Sequence, residues 1–258
     1  MQIEQRTDNG AINLALDTIK IDKQALIFGN SKRTVEKTAE DISKKIKTED
    51  ENLKDISESI KKVLSKPTRQ CERLAKCIEK GIAFHHAGLA AKQRELIEDN
   101  FKNKKIKIIT ATPTLAIGVD LPAYRVIMKD LRRFTQRGMQ FIPVLEYMQM
   151  TGRAGRPSYD TKGEAISIAS TEGAKDEINN RYLNGMPEDI YSKLAVEPVL
   201  RTYLLSLIAT NFINTKEQIL KFFSKTFWAY QFKDMDKLEQ IIEKMLHLLL
   251  EWKFISTR

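Results

Sequence analysis

Two patterns of apolar and polar positions alternate through the first 170 residues. Short, nearly unbroken apolar runs recur at Ala25-Leu26-Ile27-Phe28, Ile82-Ala83-Phe84, and over 106–111, 125–128 and 165–169. Runs of this length, rich in β-branched residues, predict buried strands. Between them lie charged stretches whose spacing predicts helices over about 33–47, 69–79, 90–100 and 144–152. Residues 48–68 are acidic, then basic, and close at Pro67; they predict a solvent-facing extension. Strands and helices alternating in this way build a mostly parallel α/β sheet. Ligands of such sheets bind beyond the carboxyl ends of the strands. The polar clusters after Phe28, Phe84 and Ala111 fall there.

The texture changes after about residue 180. Apolar residues at helical spacing predict a helix over 199–209. Thr215, with Gln218 three residues later, is a capping box ahead of Ile219, Leu220, Phe222 and Phe223. Asp236 and Glu239 repeat the pattern ahead of Ile241, Ile242, Met245, Leu246 and Leu249. Trp252-Lys253-Phe254-Ile255 reads as a strand. Three helices and a strand predict a mainly helical winged-helix domain over 183–258, truncated at its wing, behind an α/β domain over 1–182.

Composition narrows the function classes. With 42% hydrophobic and 30% charged residues, the 258-residue chain is neither disordered nor fibrous. No apolar run approaches the ~18 residues of a membrane span, so no membrane partner is expected. The opening MQIEQRTDNG lacks the apolar centre of a secretory signal. Cys71 and Cys77 are too few for a disulfide framework or a four-ligand metal site. A reducing, cytoplasmic setting and no bound metal are the expectations. The net charge of +9 is unevenly placed: residues 61–160 hold 20 Lys and Arg against 9 Asp and Glu, whereas 161–258 hold 13 of each. Polyanion binding is therefore expected in the middle block. The neutral, helical end, with Glu239, Glu243 and Glu251 beside its lysines, reads as a packing brace rather than a groove-reading domain.

Chemistry concentrates in a few segments. In Gln149-Met150-Thr151-Gly152-Arg153-Ala154-Gly155-Arg156-Pro157, two arginines three apart each follow a glycine. Glycine lets the backbone approach a ligand, and the guanidinium fork grips phosphate through two hydrogen bonds. Ala111-Thr112-Pro113-Thr114-Leu115-Ala116-Ile117-Gly118-Val119-Asp120-Leu121-Pro122-Ala123 follows a strand. Its threonines suit a phosphodiester, and Asp120 can accept from a ribose hydroxyl, orient an arginine, or simply cap the turn. Phe28-Gly29-Asn30-Ser31-Lys32-Arg33 and Ala83-Phe84-His85-His86-Ala87-Gly88-Leu89 place small polar and basic residues after two further strands. Finally, residues flanking Gln136-Arg137-Gly138 alternate as in a β-hairpin spanning about 130–143. Arg132, Arg133, Phe134, Arg137, Met139 and Phe141 make it basic and apolar.

In this order and spacing, the segments resemble the second motor lobe of superfamily 2 helicases, most closely the archaeal Hjm-type DNA repair helicases of the Ski-like branch. LIFGNSKR is similar to motif IV, AFHHAGL to motif IVa, ATPTLAIGVDLPA to motif V and QMTGRAGRP to motif VI. The stretch Ser192–Arg201, running into Leu207-Ile208-Ala209-Thr210, resembles the entry to the family's winged helix. The resemblance covers about residues 24–258. It implies a RecA-like parallel sheet with helices on both faces. It implies that Arg153 and Arg156, with Gln149, reach the phosphates of ATP held by an N-terminal RecA-like lobe. Gly118, Asp120 and Gly152 would lie near the nucleotide, and Ser31, Arg33, His86, Gly88, Thr112 and Thr114 along the nucleic-acid backbone. Asp120 stands where the branch more often has Asn. The hairpin would be the strand-separating pin; opening a stacked step costs ~1.4 kcal/mol, which an inserted side chain offsets by stacking on a base.

The sequence holds no GxxxxGK[ST] phosphate cradle. Asp50-Glu51-Asn52-Leu53 only superficially resembles a Mg²⁺-binding DExx box and reads as a solvated helix face. The expectation is a 3′→5′ DNA helicase lobe for repair or fork restart, acting on single-stranded and forked DNA, with Mg²⁺ ligands for the ATP on the other lobe and no activity alone. The alternatives are a lobe of a Ski-like RNA helicase and a stand-alone nucleic-acid-binding regulatory protein.

Overall fold

The computed structural model describes residues 3–47, 50–155 and 160–256. The chain divides into two compact units, Met1–Glu188 and Asp189–Arg258. In the first, helix α1 (Gly10–Lys20) precedes strand β1 (Ala25–Phe28), helices α2 (Lys32–Ser43), α3 (Glu51–Lys62) and α4 (Arg69–Ile78), and strand β2 (Ile82–His85). Then come α5 (Ala91–Lys102), β3 (Ile108–Ala111), the short α6 (Thr114–Gly118) and β4 (Arg125–Met128). A hairpin of β5 (Arg132–Thr135) and β6 (Gly138–Phe141), α7 (Val144–Thr151), β7 (Glu164–Ser167) and α8 (Glu172–Ile178) complete the unit.

Five strands form one all-parallel sheet in the order β2-β3-β1-β4-β7. The β1 and β4 side chains are buried throughout, as a sheet covered on both faces requires. The chain moves one way along the sheet from β1 to β2 and the other way thereafter. Helices α2 and α4 pack on β2, and α2 also on β3, while α5 meets both β2 and α3. The parallel sheet and its helices agree with the sequence-based expectation, and so does the hairpin.

Three sequence-based assignments in this unit need correction or addition. The 48–68 stretch is not an extension. Asp50 accepts from the Asn52 amide at 2.9 Å and starts α3, which buries Leu53, Ile56 and Ile60 and packs on α4. The face containing Leu53 is core, not solvated; the surrounding charges masked its i, i+3, i+7 spacing. The helix expected over 33–47 ends at Ser43. Helix α1 had no counterpart in the sequence reading, although Asn9, which accepts from the Ala11 amide, is a cap signal. Arg125, 1% exposed, pins α1 to the sheet through Asp17, Glu164, Thr18 Oγ1 and the Leu14 carbonyl.

The second unit contains α9 (Glu197–Ala209), α10 (Lys216–Phe223), α11 (Phe227–Phe232) and α12 (Met235–Glu251). Its own core gathers Leu200, Leu204, Phe223, Trp228, Leu238, Ile242 and Met245. The Thr215–Gln218 capping box forms as expected. The cap of the last helix is Asp234, which accepts from the Lys237 amide, rather than Asp236. The wing strand expected at 252–255 does not form. Lys253 adopts φ 59°, and the Lys253 and Phe254 amides bond back to Leu250 and Leu249. That is a Schellman closure of α12, which consumes the backbone groups a strand would offer. Among the described residues the unit is helical. Lys244 pairs with Glu197, and Lys216 with Glu239 and Glu243, so two of its cations are neutralised internally.

Candidate nucleotide and nucleic-acid site

The strand order brings the loops after β2, β3, β1 and β4 side by side along one edge of the sheet. Backbone bonds continue past the strands: the Thr112 amide donates to His85, Gly29 to Ala111, and Lys129 to Phe28. Segments far apart in sequence thus share one ledge.

On the β1 loop, Ser31 caps α2 by accepting from the Thr34 amide, and Arg33 is exposed. The Asn30 side-chain amide donates to the Arg132 carbonyl, tying this loop to the hairpin. On the β2 loop, His86 is fully buried. Its Nδ1 accepts from the Gly88 amide at 3.1 Å, so Nε2 carries the proton and donates to Glu36 Oε1 at 2.9 Å. His86 therefore shapes the loop from beneath, and Gly88 is the part left at the surface. Burial alone would raise the Glu36 carboxyl; hydrogen bonds from Gln70 and His86, with the charge and bond of Arg73, outweigh it and hold the group below its ordinary value. Glu36 was not among the residues singled out from sequence; only the fold brings α2, α4 and the β2 loop together around it. His85 lies beneath as well, its Nε2 2.8 Å from Glu98, and burial holds it below the usual histidine range despite that carboxylate. On the β3 loop, Thr112 and Thr114 share a hydroxyl–hydroxyl bond of 2.9 Å, and Thr114 is exposed.

The arginine segment meets the β3–β4 loop directly. Arg153 sends Nε and Nη2 to the Ala116 carbonyl, at 3.2 and 2.6 Å, and Nη1 to Asp120 Oδ1 at 3.1 Å. The Ala123 amide donates to Arg153, and the Gly155 amide to Ala123 at 2.7 Å. Gly118 and Asp120 are exposed on this loop, Gly152 closes α7, and Gln149 is exposed on it. Gly155 has φ 94°, and a Cβ on Gly163 would come within 2.3 Å of its nitrogen; this crossing needs glycine on both sides. The second arginine, Arg156, lies outside the described residues.

The hairpin stands beyond β4. Phe134 and Met139 are directly opposite each other near its tip, 81% and 58% exposed. Gly138 turns the chain at φ 88°. Arg133 grips both carboxylate oxygens of Glu146 on α7, and Arg132 pairs with Glu177 while stacking on Phe141. Arg137 is exposed at the turn.

Among the described residues no group of three or more His, Cys, Asp or Glu is arranged to hold a metal ion, and no helix is long and apolar enough to cross a membrane.

Residues 56–158 match the helicase conserved C-terminal domain, and residues 167–256 a helix-turn-helix domain. The chain is 45% identical to the ATP-dependent DNA helicase Hel308 of Pyrococcus horikoshii over 94% of its length, and 44% identical to that of Pyrococcus abyssi over 94%. Against that of Methanocella arvoryzae it is 41% identical over 98%. Over most of its own length the chain is thus similar to Hel308-type superfamily 2 helicases. It spans about a third of the length of the curated relatives it matches, 34%, 34% and 35%. The ledge carries the segments that resemble motifs IV, IVa and V, and Arg153 lies in the segment that resembles motif VI. The Arg153–Ala116–Asp120 bonds bring the last two of these segments together, and the first meets the hairpin through Asn30.

Proposed function

We propose that the chain is the C-terminal motor region of an ATP-dependent helicase that moves 3′→5′ along DNA in repair or fork restart. The observation that carries this reading is the joining of motifs V and VI: Arg153 is held on the motif V loop by Ala116 and Asp120, so the arginine segment and the nucleotide-facing loop form one surface. An N-terminal RecA-like lobe closes on that surface with ATP and Mg²⁺ between, the metal ligands lying on that lobe. Gln149, Arg153 and Arg156 then face the phosphates, and Gly118, Asp120 and Gly152 line the nucleotide's edge. The guanidinium groups offset charge developing on the transferred phosphoryl group, worth ~10³–10⁵ in rate. Ser31, Arg33, Gly88, Thr112 and Thr114 follow the backbone of single-stranded DNA, with His86 setting the Gly88 loop. Phe134 and Met139 meet the first base pair of the fork. DNA is favoured over RNA because the relatives are named as DNA helicases. The compartment consistent with the two free, buried thiols is the cytoplasm.

The test uses the intact helicase on matched DNA and RNA forks. Unwinding of the DNA fork with 3′→5′ polarity is expected, and Arg156→Ala should cut ATP turnover by at least ~10³-fold while DNA binding persists. Unwinding of the RNA fork alone, or full turnover by the variant, sinks the assignment.

A further inference from the structure

One short turn touches both working parts of the first unit. Residues Asn179–Leu183 form a π-type helical turn after α8, a geometry that recurs at functional positions. Tyr182, buried at its centre, donates to the Ile142 carbonyl at 2.8 Å and reaches the Leu131 carbonyl at 3.4 Å. Those carbonyls bracket the two ends of the hairpin, where the Ile142 amide bonds Leu131. The Tyr182 ring stacks on Tyr147 of α7 at 4.5 Å and meets Phe141 of β6 edge-on at 6.3 Å. Its neighbour Arg181 stacks on the same Phe141. Six residues on, Glu188 accepts from the Val144 and Leu145 amides at 2.7 and 3.1 Å. Pro143 precedes α7 and offers no side-chain cap, so Glu188 supplies the anion that the helix start favours. Burial would raise its carboxyl, but these amides hold it below the ordinary value.

Segment 181–188 therefore grips the base of the hairpin with one end and the first turn of the motif VI helix with the other. Only Pro143 separates β6 and its flanking Ile142 from α7. A junction of two residues can bend; packed from the side by an aromatic ring, two carbonyl bonds and a helix cap, it cannot do so without breaking them. Resting on the helicase reading above, we propose that this segment is a mechanical coupler, with Tyr182 as its positioning residue, which makes the strand-separating hairpin and the motif VI helix move as one body. Tyr182 touches neither ATP nor DNA. It ensures that displacement of motif VI on hydrolysis is delivered to the hairpin rather than absorbed at Pro143.

The experiment compares the intact helicase with Tyr182→Phe, which keeps the ring stack and removes the hydroxyl bonds. DNA-stimulated ATP turnover and base pairs opened are measured together, and their ratio is the readout. The expected result is turnover within about two-fold of the parent and at least a five-fold loss of base pairs opened per ATP. Glu188→Gln, which keeps the cap but drops its charge, should lie between. Adding Tyr182→Phe to Phe134→Ala should lower the ratio little further than Phe134→Ala alone, because both act on one element. An unchanged ratio in Tyr182→Phe, or turnover and unwinding falling in equal proportion, overturns the coupler. A parent protein that opens no DNA fork sinks instead the reading on which it rests, so the two failures are distinct.

Discussion

Glu36 shows how one buried side chain holds the ledge beyond the strand ends in shape. It accepts from His86, Gln70 and Arg73, while Arg73 also binds Glu40. Its carboxyl lies below the ordinary value. A group whose folded value is depressed stabilises the fold at pH above the unfolded value, and that contribution fades as pH falls through the folded one. Glu36→Gln is therefore expected to lower stability by ~2 kcal/mol at pH 7, the scale of hydrogen bonds to a charged group. The gap between variant and parent should narrow as pH drops below about 4.5, the ordinary value of the group. Denaturant midpoints from pH 7 to pH 3 would check this; a constant gap would contradict the linkage. His86 stands out in the sequence and Glu36 does not, because their meeting depends on α2 packing beside β2.

At the scale of elements, the hairpin was legible and its anchoring was not. Alternation around Gln136-Arg137-Gly138 is local, and Gly138 turns there with φ 88°. Tyr182 and Glu146, which hold it, come from other elements. Phe134 and Met139 contribute almost nothing to the core. Replacing both with Ala should change folding stability by less than ~0.5 kcal/mol, as for other exposed positions. The same change should slow fork unwinding about ten-fold, since stacking on a base is worth ~1–3 kcal/mol. Unchanged unwinding in a single-turnover assay would remove the pin role. The missing wing carries a parallel lesson: Trp252 and Phe254 alternate like a strand, yet a positive φ at Lys253 lets the helix close on itself instead.

At the scale of the whole chain, two separate cores form, and the proposed half of an ATP site lies in the first unit alone. The arginine segment is present, while the phosphate cradle is absent from the sequence. The isolated chain should therefore hydrolyse ATP at background level, with no stimulation by single-stranded DNA. Stimulated turnover in a phosphate-release assay would mean that a cradle exists within these 258 residues. The sequence by itself determined the parallel α/β architecture, the helical second unit, the hairpin and the family resemblance. Each of these rests on local periodicity, turn chemistry or contiguous motifs, which a linear reading captures. Only the tertiary structure decided that α3 is core, that His86 faces Glu36, that Arg153 rests on Ala116 and Asp120, and that Tyr182 holds the hairpin. Those side-chain contacts join residues 33 to 51 positions apart, and no local pattern specifies which buried donor will meet which acceptor until the sheet order has set them side by side.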